Sequence, residues 1–424
     1  MNPTALDVLQ QARTALADSA AQLTECRATM LSMPPIEYTP TVTALNTTRE
    51  LKTEFRRLLT EPCVDLEDGR RVKQVQFEAL EAFAARNALP LKALLTSISI
   101  DQELVVRCAF VGKGITTLEG LKGLWSLKTL YLDDNTNLTS LEGVPTHALE
   151  ELHASGCDLR GDLSALSGAV KLKQLAVLNN TCLSSLKGVP TRNIETIAAA
   201  YCGLVGDLSE LKGAGKLKTL RMSGNGMLTS LKGIPTQEIK ELYVADCDIR
   251  GDFSDLSGAS QLERLYANGN SLLSSLAGIP TQNIQVIDVS HCSLSGDLSP
   301  LSGAASLKKL RVTGNDHLVS LNGAPIHNIE ELDASECALR GDLHFLAGAL
   351  QLKRLFVANN LRVTSLQGVP LQTIEEIDAS SCSLRGDHTF LSAAPHLHQL
   401  ALYYNPSNLT IDLTAFHPRV RINI

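Results

Sequence analysis

The feature that most limits how this chain can fold is a period of 45 residues, held without slippage. Six cysteines mark it, at Cys157, Cys202, Cys247, Cys292, Cys337 and Cys382. Seven asparagines mark it again, at Asn135, Asn180, Asn225, Asn270, Asn315, Asn360 and Asn405. Asp162, Asp207, Asp252, Asp297, Asp342 and Asp387 keep the same step, as do the prolines from Pro145 to Pro370. Four columns in phase mean one structural module used over and over. A module this short cannot bury an apolar face alone, but stacked neighbours can.

Each unit divides into turns of 22 and 23 residues, "LKTLYLDDNTNLTSLEGVP" and "LEELHASGCDLRGDLSALSG". Both follow L-x-x-L-x-L-x-x-N/C-x-L. Leu149, Leu152 and Leu159 are expected to point inward, and the same columns recur in the next turn. The Asn column is expected to satisfy loop backbone groups that face the interior, where an unpaired one is costly. The Cys column supplies a small buried residue with a weak donor. Eight turns of the Asn kind and six of the Cys kind are counted, with the first Asn lost around Gly112.

Arg-Gly-Asp occurs four times in the Cys-type turns, at Arg160, Arg250, Arg340 and Arg385, and it looks adhesive. At the same phase Val205 and Ser295 replace the Arg while Gly-Asp never changes. The motif is therefore read as structural. Gly161 takes a backbone shape barred to other residues, and Asp162 caps the N–H groups of "LSAL". Column cysteines two turns apart would be roughly 10 Å apart, too far for a disulfide or a shared zinc. Bases after the first Leu of the Asn-type turns (Lys128, Lys173, Lys218, Lys308, Lys353) face acids in the Cys-type turns (Glu150, Glu195, Glu330, Glu375). Lys240 and Glu263 break that alternation.

On these motifs residues 104–413 resemble leucine-rich repeats, and most closely the 22-residue subfamily of internalins and the leucine-rich regulator of protein phosphatase 1. The resemblance implies an α/β solenoid of about 14 turns. It would be a horseshoe with a concave parallel sheet and a short 3₁₀ or helical convex side. Residues 1–100 are expected to form an N-terminal α-helical region that includes a cap, and 414–424 a C-terminal cap. Leu9, Leu16, Leu23 and Met30 recur every seven residues. That heptad seam makes a helix over 5–30 that could pair with a partner helix or pack in cis. "MPPIEYTPT" at 33–41 is a break, and helices are expected near 43–60 and 72–98.

The net charge of −7 lacks the basic footprint of a nucleic-acid binder. No segment reaches 18 apolar residues, so no membrane span is expected. Acids at Asp7 and Asp18 argue against a secretory or transit peptide, which predicts a cytoplasmic protein, with cytoskeletal or ciliary association suggested by the resemblance. No phosphate loop, nucleophile elbow or metal-ligand spacing is present, so no cofactor, no metal and no catalytic residue are assigned. Cys63-Val64-Asp65 resembles the acceptor site of bacterial leucine-rich-repeat ubiquitin ligases, on three residues only.

The concave sheet is the candidate binding face. The residue after the second Leu of each turn gives a bulky row, richest over Arg221, Tyr243, Tyr266, Asp288, Arg311, Asp333, Phe356 and Asp378. Two positions on, a small row runs through Ser155, Ala200, Ser223, Ala245, Ser290 and Ser335. Fourteen strands would make a sheet about 65 Å long. The expected function is a non-enzymatic scaffold or regulatory subunit that binds a protein partner there. The alternatives are a structural component of a cytoskeletal, axonemal or other large assembly, and a ubiquitin ligase using Cys63.

Overall fold

In an L-x-L strand the two leucines flank one outward side chain, and a three-residue strand is long enough to bury one side chain between two that face out. That is what each turn supplies. Leu152 in Glu151–His153, Leu242 in Glu241–Tyr243 and Ile377 in Glu376–Asp378 have no exposed surface. The computed structural model describes residues 61–424. The segments 5–30, 33–41 and 43–60 discussed above lie outside the described residues.

From Cys63 onward the chain forms one unit. Its main sheet has 16 strands, and fourteen of them run parallel from Leu104–Ala109 to Gln399–Ala401. The register is uniform: Leu130, Leu152, Leu175, Ile197, Leu220 and Leu242 lie side by side on successive strands. The solenoid that these turns build is the leucine-rich-repeat horseshoe. Single 3₁₀ turns lie on the opposite side in the Cys-type turns, among them Ser164–Leu166, Ser209–Leu211, Ser254–Leu256 and Ser299–Leu301.

Two features set the alternation of turns. Asn225 donates from Nδ2 to the carbonyls of Ala199 and Met222, at 2.9 and 2.5 Å, and its Oδ1 accepts from Leu204 N at 3.1 Å. The Cys247 thiol then donates to the same Met222 carbonyl at 3.5 Å. The same sharing of one carbonyl holds for Asn135 with Cys157, Asn180 with Cys202, Asn270 with Cys292, Asn315 with Cys337 and Asn360 with Cys382. Each buried oxygen thus fills both lone pairs from two successive turns, which ties a Cys-type turn to the Asn-type turn before it. Burial pushes the Cys202, Cys247 and Cys292 thiols up to about 11.

The Gly-Asp step is local scaffolding. Gly161 has φ +73° with open space where a Cβ would stand, so backbone shape alone selects glycine there. Asp162 Oδ1 accepts from Ser164 N at 2.9 Å, and Asp207, Asp252, Asp297, Asp342 and Asp387 repeat the bond at 2.8–3.1 Å. Arg160 and Arg250 pair with Asp158 and Asp248 of their own turns.

The lost Asn of the first turn falls at Lys113, next to Gly112. The register sets Ala109 beside Tyr131, so Gly112 matches Asp134, and both are left-handed at φ +60° and +61°. The left-handed position recurs before every Asn or Cys, for example at Asn179, Tyr201, Asp246 and His291. The irregular charges also resolve. Lys240 and Glu263 pair with each other at 3.3 Å, one rung of the ladder reversed at both ends. Neighbouring rungs pair Lys173 with Glu150 at 2.7 Å and Lys218 with Glu195 at 2.8 Å.

The first turn is closed by β1 (Cys63–Asp65), β2 (Arg71–Lys73), α1 (Gln74–Arg86), α2 (Leu91–Leu95) and the antiparallel pair β3 (Ile98–Asp101) and β4 (Leu104–Ala109). Phe83 of α1 stacks on Phe110 at 5.4 Å, and buried Gln76 accepts from Val105 N and donates to Ser126. At the other end Arg421–Asn423 adds a parallel strand beside Gln399–Ala401.

Candidate protein-binding surface

The uniform register places Arg221, Tyr243, Tyr266, Asp288, Arg311, Asp333, Phe356 and Asp378 on eight successive strands, one beside the next. They form a single row on the concave face, and each keeps solvent-exposed surface. What they do there differs along the row.

Tyr243 and Tyr266 stack face to face, with centroids 4.8 Å apart and planes 6° from parallel. The Arg221 guanidinium lies 5.0 Å from the Tyr243 ring centre on the other side. Glu241, two residues before Tyr243, accepts from the Tyr243 hydroxyl at 3.2 Å and pairs with Arg264. Burial and the Glu241 carboxylate both push the Tyr243 hydroxyl up from its ordinary value, so the ring is held neutral. Two aromatic rings fixed in this way have little rotamer freedom left to lose on binding.

A second cluster of the same make lies toward the N-terminus. Tyr131 packs against His153 with ring centroids 4.7 Å apart and planes tilted by 31°, and Arg107 lies 4.8 Å from the Tyr131 ring centre. Glu151 accepts from the Tyr131 hydroxyl at 3.3 Å and contacts His153 Nε2 at 2.8 Å. Tyr131 and His153 hold the same strand position as Tyr243 and Tyr266, which strand alternation makes readable in the sequence. What it could not show is that an Arg and a Glu from flanking positions brace them.

Beyond Tyr266 the charges turn on one another. Glu331, on the strand Glu331–Asp333 of this face, is 3% exposed. It accepts from Arg311 at 3.1 and 2.6 Å, pairs with Arg354, and has Lys309 at 3.6 Å. Burial raises its carboxyl, but the three cations outweigh that and hold it below the usual range. Asp288, Asp333 and Asp378 accept from the backbone N–H of Ser290, Ser335 and Ser380 at 2.9–3.1 Å. Sequence reasoning missed Glu331. Its only signal was an acid flanked on the next strands by Lys309 and Arg354, visible once the register is known.

Outside this face, Cys63 donates from its thiol to Glu103 at 3.1 Å, while Asp65 pairs with Arg71 at 2.9 Å. Burial and Glu103 raise the Cys63 thiol. Among the described residues no group of three or more His, Cys, Asp or Glu is placed to hold a metal ion, and no helix is long and apolar enough to cross a membrane.

Solved structures resemble this arrangement. An internalin of Listeria monocytogenes superposes with a TM-score of 0.58 at 15% identity, over 82% of this chain and 94% of that one. YopM of Yersinia enterocolitica superposes at 0.53 with 24% identity, over 70% of this chain and 64% of its own. The fold is that of the leucine-rich-repeat proteins. The Drosophila Toll chain, solved in complex with Spatzle, matches at 0.55 and 15% identity over 69% of this chain and 46% of that one. No family model matches the sequence, and no curated protein matches it.

Proposed function

We propose that this leucine-rich-repeat protein is a non-enzymatic scaffold or regulatory subunit that takes a protein partner on its concave face. The observation that carries this reading is the Tyr243–Tyr266 stack, held by Arg221 on one side and Glu241 below, with surface left open to solvent. Rigid aromatics beside arginine are the side chains that most often dominate binding energy at protein interfaces. The Toll chain of the similar structure was solved with a protein bound, which agrees with this use of the fold.

The surroundings of Cys63 weigh against the ubiquitin-ligase alternative that would use it. An acceptor cysteine needs its thiolate, and the Cys63 thiol is pushed up by burial and by the carboxylate it donates to.

Proximity labelling of the intact protein, followed by pull-down of the labelled partners, tests the reading. Tyr243→Ala and Tyr266→Ala should abolish capture and leave thermal unfolding unchanged. Capture that survives both, through contacts on residues 1–60 or with a filament, would favour the structural-component alternative. Arg311→Glu is a poorer probe, because Arg311 supports buried Glu331.

A further inference from the structure

The bulky row of the concave face is interrupted once. The strands Gln174–Ala176 and Thr196–Ala198 carry alanine where their neighbours carry His153 and Arg221. Two residues further along, Ala200 continues the gap, while half-buried Leu178 closes its other corner with an apolar side chain. We propose that this gap is a seat for one α-helix of the protein partner, with an apolar stripe facing the alanines and a carboxylate facing Arg221. The proposal rests on the reading of the concave face as the partner surface and narrows it to one place and one kind of partner.

Width comes first. His153 and Arg221 stand three strand spacings apart, about 14 Å. A helix with its side chains is about 10–12 Å across. The His153 wall is braced by Tyr131 and the Arg221 wall by Tyr243, so neither folds easily into the gap. Tyr201, 55% exposed and left-handed at φ +55°, follows the second of the two strands. Its ring occupies the space that a side chain at Gly224 would need.

The floor also selects the backbone of the guest. Ala176, Leu178, Ala198 and Ala200 offer no side-chain donor or acceptor. The sheet's own amides are used: Val177 N bonds to Ala198 O, and Ala199 N to Arg221 O, both at 2.8 Å. An extended segment crossing this floor would leave its own N–H and C=O groups without partners, which is costly. A helix satisfies them internally. Alanines, moreover, let its side chains come close to the sheet.

Charge fixes the remaining requirement. The nearest carboxylate to Arg221 is Glu241 at 4.0 Å, the edge of an ion pair, and the Arg221 side chain is 52% exposed. Arg107 lies over Tyr131, on the far side of His153 from the gap. Arg221 is therefore the guanidinium at the edge of the gap, and an Asp or Glu on the helix flank meets it. No other part of the row has such an opening. Each strand from Arg264–Tyr266 to Glu376–Asp378 carries a bulky or charged side chain at this position.

The test uses a displayed library of single-helix peptides of about 20 residues, roughly 30 Å long, selected on the full-length chain. Enriched peptides should carry apolar residues at i, i+3, i+4 and i+7 with Asp or Glu alongside. They should bind Ala176→Arg and Ala198→Arg at least tenfold more weakly. Arg221→Glu should shift the preference from Glu to Lys at one peptide position. Ala176 keeps more exposed surface than Ala198, so Ala176→Arg is the variant to rely on if Ala198→Arg lowers the melting temperature. Binders indifferent to both arginines, or the absence of any enriched helix, overturn the proposal. If the binders are weakened instead by Phe356→Ala or Asp333→Arg, the slot is wrong and the concave-face reading survives. If no concave substitution matters, that reading falls as well.

Discussion

The two halves of the concave face share one backbone and differ in what their side chains do to one another. Between Arg107 and Tyr266, arginine and glutamate hold aromatic rings in place and leave them open, with two alanine-bearing strands between the clusters. Between Lys309 and Asp378, the charges satisfy each other: Arg311, Arg354 and Lys309 surround Glu331, and Asp333 and Asp378 bond to their own backbone. Polarity on an exposed strand is therefore not the same as availability. A charge already paired and partly desolvated must lose its partner before it can serve another molecule.

Substitutions along the stack can sharpen that contrast, and the largest effect sets the scale. Asn225→Ala leaves the Ala199 carbonyl and the Leu204 N–H without a partner and Met222 O with the Cys247 thiol alone; at roughly 1–3 kcal/mol for each orphaned group, urea unfolding should show a loss of about 2–6 kcal/mol. Glu331→Gln leaves three cations facing a neutral group. Because those cations are about half exposed, a loss of about 2–3 kcal/mol in stability is expected rather than the full penalty of a buried charge. Partner binding should not change. A stability change within experimental error would break the distinction between the halves.

Tyr266→Ala should do the reverse. We expect about 2 kcal/mol lost from binding, roughly thirtyfold, with stability nearly unchanged. The smallest effect concerns His388, which is 1% exposed in a column that elsewhere holds Leu or Phe. Its Nε2 accepts from Leu366 N at 3.3 Å, and burial lowers its pKa from the ordinary value. The unfolded chain then binds a proton more readily than the folded one, so stability falls as pH drops below about 6.5. His388→Leu should flatten that fall in melting curves taken between pH 7.5 and 5.

The fold was legible because each turn writes the same requirement in the same place. Leu152 and Leu242 name the buried side of the strand, and Asn225 names the loop groups that need a partner. Less legible was why cysteine alternates with asparagine. The answer is a carbonyl shared between successive turns, as at Met222, and a shared acceptor leaves no mark on a one-dimensional pattern. The left-handed residue before each Asn or Cys was also missed, because Tyr201 and His291 are not residues that announce that shape. For the binding surface, the row from Arg221 to Asp378 could be read from strand alternation. Which of its members are tied to neighbours could not, since Glu331 meets Arg311 and Arg354 only across the strand register. The reversed Lys240–Glu263 rung was visible in the letters and became intelligible only as a pair.

The most direct test is a paired measurement on four variants, Tyr243→Ala, Tyr266→Ala, Arg311→Ala and Glu331→Gln, each assayed for affinity toward the captured partner and for unfolding free energy. The tyrosine variants should lose affinity at constant stability, and the Arg311 and Glu331 variants should lose stability at constant affinity. If the Arg311 and Glu331 variants instead lose affinity while the tyrosine variants keep it, the assignment of the open surface to the N-terminal half is contradicted.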